Sequence, residues 1–227
     1  MQRIAFFDID GTVFRSSLFI ELIEKLIADG DFPTEAVQEY EAVYKRWLDR
    51  EGSYEAYIEA MIATFLHHIK GVHYGTVADA GREMIEIHRK RVYRYTRDLI
   101  RKLKGEEYYV VAISQSPKTI LDEFCKSYGF DKVYGRMYEI GPTDRFTGVV
   151  IDEEIIKDKA NIVARVLEKE WVTKEGSIAV GDTEGDISMF DSVATPICFN
   201  PNKLLYDHAL KMGWKVVIER KDVIYEL

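Results

Sequence analysis

Two aspartates, Asp8 and Asp10, stand two residues apart where a short apolar run, Arg3 to Phe7, gives way to Gly11. Alternate side chains of an extended strand leave on one side, so both carboxylates can address a single spot unless the backbone turns between them. Gly11 supplies such a turn at low steric cost. Carboxylates this close repel: either a cation or strong donors neutralise them, or one keeps its proton far above the ~3.9 of a free aspartate. A carboxyl held protonated can work as an acid. Alone, the same residues also read as the Asp-Gly turn of a hairpin.

A second acidic group, Gly181-Asp182-Thr183-Glu184-Gly185-Asp186, follows the apolar run Ile178 to Val180. Oxygen-only donors at this density suit magnesium, although acids also gather at helix N-termini for the sake of the helix dipole. Ser114 closes a third apolar run, Tyr108 to Ile113, just before a helix expected from Pro117 to Tyr128 that would aim free amides at whatever sits there. Ser114 and Ser116 are also suitable N-caps, and Ser116 is assigned that role. Lys159 opens a helix after Asp158, a place the dipole makes unfavourable for a cation, so a nearby anion would account for it. Lys157 competes for the same part.

The elements that must position these groups repeat one pattern, an apolar strand, a polar loop and a helix, which is the grammar of parallel α/β sheets. Helices follow the second and third strands, another runs from Lys159 to Lys169, and Thr195 to Phe199 and Lys215 to Ile218 add further strands. The expected fold is α/β, a Rossmann-like, mostly parallel sheet flanked by helices. Ligands of such sheets bind beyond the carboxyl ends of the strands, where every polar cluster above falls.

Residues 15–94 read differently. Leu18, Phe19, Leu22, Ile23, Leu26 and Ile27 form a stripe at helical spacing. Val37, Tyr40, Tyr44 and Trp47 form a second, and Tyr54, Ile58, Met61, Phe65 and Ile69 a third, with Ser53 as N-cap. Thr76 and Asp79 resemble a capping box opening a fourth helix. The expected organisation is an α/β core of residues 1–14 and 95–227, with an all-helical cap of residues 15–94 inserted after the first strand. Arg15 and Ser17, at the hinge, and Gln115, beside Ser114, are candidates for contact with substrate.

A net charge of −8 argues against nucleic acid or an anionic membrane as the main partner. Nine Lys or Arg against three acids in residues 82–104 reverse that charge locally, as a solvated helix face or an anion-steering patch would. No stretch approaches the ~20 apolar residues of a membrane span and no export signal precedes Arg3, so the expected compartment is the cytoplasm. Cys125 and Cys198 show no metal or redox spacing and are expected as buried thiols; the five histidines show no ligand spacing either. The sequence is silent on oligomeric state.

Asp8-x-Asp10-Gly11-Thr12, Ser114, Lys159 and Gly181-Asp182-x-x-x-Asp186, in this order, resemble the four motifs of the haloacid dehalogenase superfamily. The helical insert after the first motif, and the stretches Val180 to Phe190 and Arg220 to Asp222, resemble its phosphoserine phosphatase-like branch. The resemblance implies a phosphatase acting on a small phosphorylated metabolite, with the cap closing over the leaving group. Asp8 would be the nucleophile, transiently phosphorylated, and Asp10 the general acid and base. Ser114 and Lys159 would hold the phosphoryl group, and Mg2+ would be bound by Asp8, Asp10, Asp182 and Asp186. A phosphomutase, or a phosphometabolite-binding module without catalysis, would share these residues. Phosphoserine phosphatases have a Ser-Gly-Gly turn at the second motif and a glutamate after the first; here stand Ser114-Gln115-Ser116-Pro117 and Arg15-Ser16-Ser17, which puts phosphoserine itself in doubt.

Overall fold

The computed structural model of the chain describes residues 1–151, 154, 156, 158–169 and 171–227. It falls into two compact units: Met1–Ser17 with Arg89–Arg136 and Asp152–Leu227, and Leu18–His88 with Met137–Ile151.

The first unit is built on strands β1 (Gln2–Phe7), β2 (Tyr109–Pro117), the first part of β3 (Lys132–Ile140), β5 (Val172–Gly181), β6 (Thr195–Phe199), β7 (Lys215–Arg220) and β8 (Val223–Glu226). Their order is β3-β2-β1-β5-β6-β7-β8, all parallel except the last pair. Central position explains the unbroken apolar character of β1: residues Ile4 to Phe7 are fully buried because both faces of the strand are covered. Ile4, Phe6, Val111 and Ile113 share one core cluster with Ile162, Val163, Val166, Phe190, Leu205 and Ala209. These come from α7 (Lys159–Leu167), α8 (Ile187–Phe190) and α9 (Lys203–Met212). The alternate side chains belong to the opposite face, where Phe7 meets Phe130 edge-on at 6.0 Å. Helices α5 (Arg94–Gly105) and α6 (Lys118–Lys126) pack against β2 and bury Ile100, Leu103, Leu121 and Phe124. Cys125 and Cys198 are buried free thiols, as expected.

The second unit holds α1 (Leu18–Ala28), α2 (Val37–Leu48), α3 (Tyr54–Ile69), α4 (Tyr74–His88), the end of β3, and β4 (Phe146–Ile151). Phe65 of α3 gathers Phe19 at 5.1 Å, Phe32 at 5.9 Å and Tyr138 at 5.1 Å. Ser53 caps α3 by accepting the Ala56 amide at 3.1 Å.

Several expectations are corrected. The helical unit is not all-helical: Met137 pairs antiparallel with Ile151 and Tyr138 with Val150, so a hairpin from residues assigned to the core packs with the helices. Residues 137–151 lack the long apolar run of a central strand, which is why periodicity gave no sign of the hairpin. Helix α4 opens at Tyr74, so Thr76 and Asp79 do not cap its start. β2 continues to Pro117, four residues past Ile113, while α6 opens at Lys118, directly after Pro117, where the helix was expected. Among the described residues no helix is long and apolar enough to cross a membrane.

Candidate active site

The chain leaves β1 in a tight turn in which the Ile9 carbonyl accepts the amides of Thr12, Val13 and Phe14 at 3.3, 2.9 and 2.9 Å. Gly11 lies in the left-handed region at φ 81°, and a Cβ there would collide with the Asp182 carboxylate. Only glycine lets the loop after β1 approach the loop after β5 this closely. Thr12 closes the gap, its Oγ1 donating to Asp182 Oδ1 at 2.9 Å. The positions that spacing had placed on separate loops therefore converge.

At the centre lies Lys159, only 7% exposed, whose Nζ donates to Asp8 Oδ1 and Asp186 Oδ1, both at 2.5 Å. Asp158 is the N-cap of α7, accepting the Ala160 amide at 2.9 Å, so the helix is capped by an acid while the lysine beside it turns inward. The other oxygen of Asp186 accepts the amides of Asp182 and Thr183 at 3.0 and 3.1 Å. A Cβ on Gly181 would strike that carboxylate. Lys157, the competing lysine, lies outside the described residues.

Oxygens of Asp8, Asp182 and Asp186 lie within 4.8 Å of one another. Burial pushes the Asp8 carboxyl up to about 7; Lys159 opposes the rise, and Asp186 and Asp10 add to it. Burial, then Asp8 and Asp186, hold Asp182 well above the usual carboxylate range. Burial works against the Lys159 charge, but Asp186 and Asp8 together hold the ammonium above its ordinary range. Three acids thus share one ammonium, and the excess negative charge, the all-oxygen donors and the glycine-made approach fit a hard divalent cation.

Asp10 takes hydrogen bonds from two serines. Its Oδ2 accepts Ser114 Oγ at 2.5 Å and Ser116 Oγ at 2.8 Å, while Ser114 Oγ accepts the Ser116 amide at 2.9 Å. Ser116 is therefore not a helix cap; α6 has Pro117 at that position with no side-chain cap. It was missed although its spacing from Ser114 gave the signal, since alternate residues of a continuing strand share a side.

Gln115 points elsewhere, donating to the Ile156 carbonyl at 3.1 Å and accepting the buried Arg136 guanidinium at 2.7 Å. It links the end of β2 to the segment that leads into Lys159. Arg15 is held by the Val92 carbonyl at 2.9 Å and by Glu219 at 2.6 Å. Glu219, buried on β7, also accepts the amides of Arg94 and Tyr95, at 3.1 and 2.8 Å, at the start of α5. Ser17 is buried. Arg136 and Glu219 were not foreseen, because a lone charged residue in a strand gives no sequence signal of its partner.

A sequence model of the haloacid dehalogenase-like hydrolases matches residues 5–191, and the chain belongs to that family. Over 116 residues it is 32% identical to a phosphoserine phosphatase of Archaeoglobus fulgidus, covering 50% of this chain and 33% of that enzyme. A histidinol-phosphatase of Neisseria meningitidis is 22% identical over 96% of this chain and 99% of its own length. Among solved structures, a Bordetella pertussis protein of unknown function superimposes with a TM-score of 0.74 at 19% identity, over 96% of this chain and 99% of that one. A phospho-aspartyl intermediate analogue of phosphoserine phosphatase gives a TM-score of 0.65 at 20% identity, over 97% and 95%. Several of the similar proteins and solved structures are named phosphoserine phosphatase, consistent with the branch that the sequence resembles.

Proposed function

We propose that the protein is a magnesium-dependent phosphatase that hydrolyses a small phosphomonoester through an aspartyl-phosphate on Asp8. The observation that carries this reading is the division of labour between two aspartates two residues apart: Asp8 lies with Asp182, Asp186 and Lys159, whereas Asp10 is held by two serine hydroxyls. Asp8 attacks phosphorus in line; the bond from phosphorus to the ester oxygen breaks, and Asp10 gives its proton to that oxygen. Asp10 then takes a proton from the water that attacks the phosphorus, releasing phosphate and restoring the Asp8 carboxylate. Lys159 offsets the charge of the anionic nucleophile as an anionic substrate approaches. Asp8, Asp182 and Asp186, with the Asp10 carbonyl, would hold magnesium, which supplies further charge neutralisation at the phosphoryl oxygens. Ser114 and Ser116 keep Asp10 in place, with Ser114 also within the reach of a phosphoryl group implied by its motif.

The relatives named phosphoserine phosphatase and histidinol-phosphatase support small phosphorylated metabolites as the substrate class. Gln115 and Arg15 are committed to partners within the fold and are not proposed as substrate contacts; Gln115 also stands where a phosphoserine enzyme has glycine. The test is turnover of an aryl phosphate with magnesium, with and without chelator, by wild type and Asp8→Asn, followed by a panel including phosphoserine and histidinol phosphate. Chelator-sensitive release of phosphate, lost in Asp8→Asn with the fold retained, is expected. No turnover by folded, metal-loaded wild type on any phosphoester would leave a binding module as the better reading.

A further inference from the structure

We propose that Glu39, His67 and His68 form a second metal site, on the helical unit, for a zinc-class divalent ion. Glu39 of α2 places one oxygen, Oε1, 3.0 Å from His67 Nδ1 and 2.8 Å from His68 Nε2 of α3. The three donor atoms lie within 4.8 Å of one another. Around a tetrahedral ion with ligands at about 2.0–2.2 Å, adjacent donors stand roughly 3.3 Å apart. Little movement separates the observed cluster from that arrangement.

The geometry is unusual for adjacent helical residues, whose side chains diverge by about 100° around the axis. Here the two imidazoles turn toward one oxygen, with ring centroids 4.4 Å apart. Phe32 packs against His68 at 5.6 Å and helps to fix its ring. Without a metal, each ring must offer an N–H to the same carboxylate oxygen, and if both rings carry a full charge they repel at this distance. A metal ion replaces both protons at once and uses all three lone pairs. The cluster is open to solvent on the side of His67, whose side chain is 68% exposed, while that of His68 is 15% exposed. Two imidazoles and one carboxylate select zinc, nickel, cobalt or copper over magnesium, which takes oxygen ligands. The site is therefore chemically distinct from the acid cluster around Asp8. It would tie α2 to α3, helices already joined by the Tyr40–Tyr57 ring contact at 6.3 Å. The sequence hides it, because His67 and His68 lack ligand spacing by themselves and the third ligand comes from another helix.

Chelator-treated full-length protein, kept in excess magnesium to fill the acidic site, is titrated with zinc by calorimetry. One zinc per chain is expected in wild type and in Asp182→Asn. At least a tenfold loss of affinity is expected in His67→Ala, His68→Ala and Glu39→Gln. Cobalt should give the visible absorption of a low-coordinate nitrogen–oxygen site in wild type and not in the histidine variants. Far-ultraviolet circular dichroism checks that each variant is folded, and His67→Gln, at an exposed position, serves if His68→Ala is not. Undiminished zinc binding in the folded variants, binding lost only in Asp182→Asn, or no binding in wild type would each overturn the proposal.

Discussion

Replacing Lys159 by methionine keeps the apolar stem of the side chain and removes the ammonium, with its charge and its two hydrogen bonds. The wild-type ammonium makes two 2.5 Å contacts, to Asp8 and Asp186, from a position that is 7% exposed. Removing one partner of a buried ion pair leaves an uncompensated charge and typically costs about 3–5 kcal/mol. The cost depends on pH in a calculable direction. Asp8 keeps its proton up to about 7 in the folded protein, against 3.8 ordinarily. Between those values the folded state binds the extra proton, so ionisation of Asp8 lowers stability as pH rises. Without Lys159 that ionisation becomes costlier. The gap between variant and wild type therefore widens above pH ~7 and narrows below it, where Asp8 is neutral in both proteins. Urea unfolding in chelator at about pH 5 and about pH 8, with the m-value checked for constancy, measures the gap. A gap within ~0.5 kcal/mol at both values, as for an ordinary surface substitution, would refute the buried pairing. So would a gap that shrinks as pH rises.

Three further outcomes are expected. Gly11→Ala places a Cβ at φ 81° against Asp182; it should cost about 1–2 kcal/mol in urea unfolding through left-handed strain alone, and weaken magnesium binding in a titration. Ser114→Ala and Ser116→Ala each remove one of two donors to Asp10; each should lower kcat/KM by about tenfold, equivalent to ~1.4 kcal/mol, and steady-state kinetics showing no change in either would remove the serines from the site. Glu219→Gln weakens the acceptor shared by Arg15 and the amides that start α5; unfolding should show a loss of about 1–3 kcal/mol, and a loss below ~0.5 kcal/mol would mean that the carboxylate charge does not hold this junction.

The amino-acid sequence alone determined which segments are strands buried on both faces, which are amphipathic helices, and where polar residues interrupt them. Those are properties of neighbours along the chain: an apolar run ending in Asp8 or Gly181, or a helical stripe such as Leu18 to Leu26, is written within a dozen residues. From them followed the α/β class and the set of acids at the strand ends. The four motifs in order also marked the family, since their sequence is read without any distance.

Tertiary structure decided which of these groups meet. Lys159 reaches Asp8 across 151 positions because the order β2-β1-β5 brings the ends of three strands together. The same order put Ser116 on Asp10 and Arg15 on Glu219, and it turned Gln115 toward Ile156 and Arg136. Packing within the second unit paired a β-hairpin with the helices and set Glu39 beside two histidines. Periodicity encodes which face of an element is buried. It carries no information about the partner across the gap, because hydrogen bonds and charge pairs depend on packing between elements far apart in the chain.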